Sequence, residues 1–150
     1  MDNTQANALV PALKFHFASQ LPVYASAQTV RGAKRSKIAP LAGFRVSELP
    51  WLMQTEPLQQ TVQESFSLQG SSLSSLYALG ADAYRVADRL PILKVSTDLG
   101  MLGNTGALWV DAQRRFHRQQ QWGVVSGGKL VPMPAVTSEK TQATSKVGAR

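Results

Sequence analysis

The 150-residue chain contains no cysteine, which excludes disulfides, thiolate nucleophiles, Cys-type zinc sites and an acylated cysteine from these residues and leaves redox compartment unread. No apolar run approaches the roughly 20 residues that cross a bilayer. The opening MDNTQANALV carries neither a basic leader nor an apolar signal core, so the chain as written is expected to be soluble. Histidine is scarce, with two copies, and acidic residues are few: 9 against 16 Lys and Arg, a net charge of +7. That excess makes attraction to something anionic plausible, and its distribution is local. Arg31, Lys34, Arg35 and Lys37 form one cluster, Arg114, Arg115 and Arg118 a second, and Lys140, Lys146 and Arg150 spread along the end. Solvated loops account for each cluster more simply than a polyanion site does.

What is present is a core-forming chain, 43% hydrophobic and long enough for one domain. Leu9, Leu13 and Phe17 recur at helical spacing and predict a helix over Val10 to Ser19, with Pro11 in its first turn. LPVYAS (21–26) reads as a buried strand, and the aperiodic, basic QTVRGAKRSKIAP (28–40) as a surface loop. Phe44 and Val46 alternate with Arg45 and Ser47, predicting a second strand that ends in a turn at Pro50 and Trp51. Residues 56–67 predict a surface helix opened by Pro57, with Leu58, Val62 and Phe66 as its apolar face.

The strongest helical signal spans 71–90, capped by Ser71 or Ser72 and ended by Pro91. Leu73, Leu76, Tyr77, Gly80, Ala83, Tyr84, Ala87 and Leu90 form a wide apolar arc expected to pack on a sheet, with Gly80, Ala81 and Ala83 allowing close approach. Asp82, Arg85, Asp88 and Arg89 fall on the other side, where Asp82 and Arg85 can form a helical ion pair. From Gly103 the pattern turns to β: a Gly103-Asn104-Thr105-Gly106 turn, the run ALWV, a polar turn at 111–114, an extended run to Val125, a Gly127-Gly128 turn and LVPM. This predicts an antiparallel meander of about three strands, and residues 134–150 read as a disordered polar and basic tail.

No catalytic constellation emerges. His16 and His117 have no carboxylate or nucleophile at a recognisable motif spacing, and both read as structural. The Gly103 to Gly106 turn leads into a strand, so it does not fit a phosphate loop, which needs a helix N-terminus; its glycines are expected at positive φ. Arg114 to Trp122 mixes basic and aromatic residues as a nucleic-acid strand would. Phe116 and Trp122 are six residues apart, however, and on one strand would share a core face.

Three stretches together resemble the LppC/LpoA lipoprotein family: LKFHFASQLPVYAS (13–26), FRVSELPWLM (44–53), and YALGADAYRVADRL (77–90) followed by GNTGALWVD, Arg118, Trp122, a glycine pair and Val131-Pro132. The matching motif residues are Tyr77, Gly80, Asp82, Gly103, Thr105, Gly106, Arg118 and Trp122, which read as structural. Gln120 stands where the family usually has a leucine, and the Arg31 to Lys37 loop is more basic than the pattern. The resemblance implies an α/β, type I periplasmic-binding-protein-like fold. The chain would supply most of its C-terminal subdomain and the closing β meander over 1–133, as an excised or truncated segment or with a start that is not the true one. A partial fold of this kind is expected to leave a sheet edge and an inter-subdomain face uncovered.

The function implied is a non-enzymatic regulator of peptidoglycan synthesis, part of a periplasmic, outer-membrane-anchored lipoprotein that binds and activates a class A penicillin-binding protein. Peptidoglycan is a further candidate partner. No cofactor, metal or nucleic acid is implied, and membrane attachment would come only through a lipid anchor outside these residues. The alternative is a small-ligand sensor or transport-binding module, whose cleft residues would be Tyr24, Ser26 and Trp51 at the ends of the two predicted strands.

Overall fold

The computed structural model describes residues 1–54, 57–66, 73–95 and 100–134. The first helix, α1 (Asn3–Phe15), begins seven residues before the expected start. Asp2 and Gln5 form a reciprocal capping box, with the Gln5 amide donating to Asp2 Oδ1 at 2.8 Å and the Asp2 amide to Gln5 Oε1 at 2.9 Å. That cap outweighs the cost of Pro11, which lies inside the helix on its exposed side, where the carbonyl it orphans can meet water. The Asn3 and Asn7 side-chain amides then reach the Lys37 carbonyl, and Asn3 also the Thr29 carbonyl, stitching α1 to the basic segment. This segment is therefore more ordered than a loop: it holds a 3-10 turn at Ala27–Thr29, the short helix α2 (Arg35–Ile38) and a second 3-10 turn at Ala39–Leu41.

Beneath α1 lies a four-stranded sheet in the order β1-β2-β6-β7, formed by β1 (Tyr24–Ser26), β2 (Arg45–Glu48), β6 (Gln121–Ser126) and β7 (Lys129–Pro132). β1 runs parallel to β2, and the other pairs are antiparallel. β1 is a three-residue edge strand with Tyr24 exposed, not the longer buried strand expected over 21–26. One face of the sheet closes on α1 through Ala6, Val30, Leu41, Phe44, Val46 and Val125. Gly127 and Gly128, both at positive φ, close the two-residue hairpin between β6 and β7, as a turn matched to strand twist demands.

A second sheet has the order β3-β4-β5, from β3 (Met101–Gly103), β4 (Gly106–Val110) and β5 (Phe116–Gln119). The single meander expected after Gly103 is thus divided between two sheets. The extended run from Phe116 breaks at Gln120 and crosses from one sheet to the other, so Phe116 and Trp122 do not share a strand, and both are exposed rather than core. Between the sheets, Pro50 and Trp51 open one helical turn, α3 (Pro50–Met53), in place of a plain turn, and α4 (Pro57–Phe66) follows as expected.

The long helix α5 (Ser74–Val95) continues past Pro91. Both Pro91 and Ala87, whose carbonyl loses its donor there, face solvent, so the chain is not forced to stop. Ser71 and Ser72, expected to cap it, and residues 135–150 of the expected tail lie outside the described residues. The facing of α5 is the largest correction. Its buried positions are Ser74, Ala78, Asp82 and Leu93, with Leu93 joining Met101, Leu108 and Val110 in a second small core. The arc expected to be buried is largely open: Leu73, Leu76, Tyr77, Ala83, Tyr84 and Ala87 are exposed, and a methyl group at Gly80 would meet nothing within 4 Å. A third cluster, Leu49, Trp51 and Ala78, joins α3 to α5.

Candidate functional site

Two constructions stand out: a buried clamp that fixes the shape of the molecule, and an exposed face that this shape presents. The clamp starts from Asp82, 2% exposed in mid-α5. Its carboxylate accepts from the Asn104 amide at 2.8 Å, the Thr105 amide at 2.7 Å and the Thr105 hydroxyl at 2.7 Å. Three donors compensate the loss of hydration that a buried carboxylate suffers. The expected ion pair with Arg85 is not among the contacts of the described residues, and Asp82 faces inward instead.

The same turn is held from the other side, where the Trp51 amide donates to the Asn104 carbonyl at 3.0 Å. Both turn glycines are required, for different reasons. A Cβ on Gly103 would sit 2.6 Å from Asp82 Oδ2, so this glycine, at ordinary φ, makes room for the carboxylate. Gly106 alone of the two has positive φ, at 136°, and a Cβ there would meet the Gln119 carbonyl oxygen at 2.2 Å.

Trp51 is 1% exposed, and its ring N–H donates to Ser74 Oγ at 3.0 Å, while its carbonyl accepts from the Gln59 side chain. Its surface is taken up by packing. Tyr24 and Ser26, the other two cleft candidates, lie exposed on β1. Of the family-motif residues, Asp82, Gly103, Thr105 and Gly106 meet in the clamp; Tyr77 and Gly80 lie on the open side of α5; Arg118 and Trp122 are exposed on β5 and β6.

The exposed face is the side of the four-stranded sheet turned away from α1. Strand alternation puts Tyr24 and Ser26, Arg45 and Ser47, Val124 and Trp122, and Val131 on it. Tyr24 and Trp122 form an edge-to-face pair with centroids 5.3 Å apart, across β2 where Ser47 is short enough to leave room. The Arg45 guanidinium lies 5.2 Å from the Tyr24 ring centroid and also donates to its hydroxyl. Trp, Tyr and Arg are the residue types that dominate binding energy at protein interfaces. Here they are held in place before any partner arrives, so little side-chain freedom remains to be lost on docking. Arg45 was missed in the sequence, although its place between Phe44 and Val46 on an alternating strand puts it on the outer face.

The basic clusters are partly consumed within the fold. Arg31 pairs with Glu48, a carboxylate only 3% exposed, and Arg35 Nε donates to the Gly127 carbonyl at 3.0 Å. On the β4–β5 turn, Asp111 accepts from Arg115 Nε at 2.8 Å and lies 2.7 Å from His117 Nε2. His117 therefore does have a carboxylate partner, brought opposite by the hairpin. The hydrogen bond from His117, then that from the Arg115 amide, hold the Asp111 carboxyl well below the usual carboxylate range. His117 also stacks on Trp109 at 5.4 Å. Among the described residues no group of three or more His, Cys, Asp or Glu side chains is placed to hold a metal, and no helix is long and apolar enough to cross a membrane.

Known proteins resemble this chain in sequence and in fold. A penicillin-binding protein activator LpoA from Klebsiella pneumoniae is 29% identical over 115 residues, 76% of this chain and 16% of the relative. That from Vibrio vulnificus is 34% identical over 83 residues, 55% of this chain and 14% of the relative. The chain thus spans about one-sixth of the length of these curated relatives. The solved C-domain of Haemophilus influenzae LpoA, described as a regulator of PBP1A, superposes with a TM-score of 0.72 at 24% identity, over 89% of this chain and 43% of that one. A Chromobacterium violaceum protein described as a "putative branched-chain amino acid ABC transporter" superposes with a TM-score of 0.56 at 31% identity, over 82% of this chain and 39% of that one. The fold is accordingly mixed α/β of the periplasmic-binding-protein-like kind. The family described as "LppC putative lipoprotein" matches residues 2–127, a span that takes in the Asp82 clamp, the Tyr24, Arg45 and Trp122 face and all but the last strand, and the chain belongs to that family.

Proposed function

We propose that this chain is part of a non-enzymatic activator of peptidoglycan synthesis that binds a class A penicillin-binding protein in the periplasm, with the intact protein anchored to the outer membrane by a lipid. The observation that carries this reading is the family match over 2–127, joined to relatives named penicillin-binding protein activators. Activation of this kind is a coupling between binding and conformation: the activator contacts the active form of the synthase better than the inactive one and shifts its population. The Tyr24, Arg45 and Trp122 face is the surface best prepared for such contacts. In this reading residues 1–133 are the partial periplasmic-binding-protein-like domain, and residues 134–150 a polar and basic extension of it.

The test is binding of the purified chain to the periplasmic part of a class A synthase, together with a glycan-polymerisation assay. We expect binding and stimulation, with Trp122→Ala weakening binding at least tenfold while thermal unfolding is unchanged. If the chain neither binds nor stimulates any such synthase, the proposal fails. The likeness to the Chromobacterium violaceum protein favours a second reading, a small-ligand module using Tyr24 and Ser26. A thermal-shift screen with amino acids and muropeptides separates the two, because a ligand that binds the folded chain raises the midpoint with the logarithm of its concentration above Kd.

A further inference from the structure

Charge is unevenly shared along the chain. Residues 1–54 and 120–133, which include α1, α2 and the four-stranded sheet, hold seven Lys and Arg against Asp2 and Glu48, whereas residues 55–119 hold six of each sign. The excess is also focused. Lys34 stands at the N-cap of α2, and Arg35 and Lys37 lie in its single turn. The β6–β7 hairpin closes against them, although Arg35 and Gly127 are 92 residues apart in sequence: Arg35 Nε donates to the Gly127 carbonyl at 3.0 Å, and a Cβ on Gly128 would lie 2.7 Å from Arg35 Cγ. Lys129, the next residue, is thereby brought beside α2. The scaffold is fixed, because the Asn3 and Asn7 side chains hold the Lys37 carbonyl. Lys34, Arg35, Lys37 and Lys129 are all exposed, and among the described residues none has a carboxylate partner, whereas Arg31 is spent on Glu48.

The chain matches 43% of the solved C-domain, and a further layer of protein would cover its apolar surfaces at a gain. Four unpaired cations behave differently: they lose hydration when covered, and only anions compensate them. Whatever meets this surface therefore brings negative charge. Lysine ammoniums are point charges on flexible stems, suited to anions spaced along a polymer more than to one planar group held in a fork. Between Ala27 and Gly43, and from Ser126 to Leu130, no large apolar side chain is exposed. The surface thus has neither the stacking rings of a nucleic-acid site nor the apolar wedge of an interfacial membrane anchor.

We propose that Lys34, Arg35, Lys37 and Lys129 form a contact surface for peptidoglycan, an anionic polymer whose stem peptides carry more carboxylates than amines. The choice of polymer rests on the reading of the chain as part of an activator of peptidoglycan synthesis, but the contact involves no synthase, so either can fail alone. Each exposed ion pair is weak and screened by salt, and repetition along the polymer supplies the affinity. The experiment is co-sedimentation of the purified chain with isolated sacculi. Binding is expected, weakening steadily as salt is raised and falling at least tenfold on sacculi whose carboxylates have been amidated. Lys34→Glu combined with Lys37→Glu should weaken it at least tenfold without moving the thermal midpoint. Arg85→Glu combined with Arg89→Glu, the same charge change on exposed side chains of α5, should leave it within twofold. No sedimentation, binding indifferent to salt or to amidation, equal loss from both double variants, or tighter retention on phosphatidylglycerol vesicles or single-stranded DNA than on sacculi would each overturn it.

Discussion

The two long helices lie on sheets in opposite ways. α1 buries Ala6 against Leu41, Val46 and Val125 and turns Gln5, Pro11 and Lys14 outward, leaving Phe15 at its end as its one largely exposed large apolar side chain among those described. α5 buries Ala78, Asp82 and Leu93 yet leaves Leu73, Leu76, Tyr77, Leu79 and Tyr84 open. Those large apolar side chains therefore lie in contact with solvent on the side away from its buried residues. The difference teaches that the α1 helix spends its apolar side chains on a core of its own, whereas α5 leaves most of its large ones in solvent.

The sharpest break of this comparison is Trp51→Ala. Trp51 fills the joint between α3 and α5 and donates to Ser74, so its removal should cost about 3–5 kcal/mol in urea unfolding. A loss below about 1 kcal/mol would mean that the α5 half does not hold together through this residue. Next in size, Leu76→Ser combined with Tyr84→Ser should leave stability within about 0.5 kcal/mol, because both side chains are already wet. The same pair should lower binding of a hydrophobic dye and any self-association seen by sedimentation, whereas a stability loss above about 2 kcal/mol would show the face to be packed.

The smallest effect is confined to the β4–β5 turn. Asp111 has its folded pKa depressed, so its contribution is complete above the ordinary carboxylate pKa and disappears only as the pH falls below it, through the folded value. Protection of the Gln113 and Arg115 amides, both held by Asp111 Oδ1, should fall in strong acid and be unchanged from pH 5 to 7 once exchange is divided by the intrinsic rate at each pH. In Asp111→Asn the acid dependence should vanish.

Much of the local structure was legible. Gly127-Gly128 and the Gly103 to Gly106 turn announce hairpins because positive φ and close approach leave few alternatives to glycine, and the Phe44 to Ser47 alternation fixes both a strand and its faces. The facing of α5 was not, since its periodic signal points the wrong way: the wide apolar arc is exposed, and the buried side holds Ser74, Ala78 and Asp82 among charged neighbours. Asp82 looked like a surface charge for the same reason: its partners are the Asn104 and Thr105 amides more than twenty residues away, and backbone donors leave no mark in a sequence. The α1 start was hidden by giving Pro11 more weight than the Asp2 and Gln5 cap. On the candidate face, Tyr24 and Trp122 were visible as aromatics, but only the register joins them.

The break at Gln120 carries a mechanical consequence. β5 and β6 belong to different sheets yet are one stretch of extended chain with a single residue between them, and Gln120 Oε1 is fastened to Ser47 Oγ at 2.8 Å. No loop lies between Arg118 and Trp122 to take up slack. A pull or a rotation applied to β5 is therefore delivered to the Tyr24 and Trp122 pair as through a short lever whose pivot is pinned to β2.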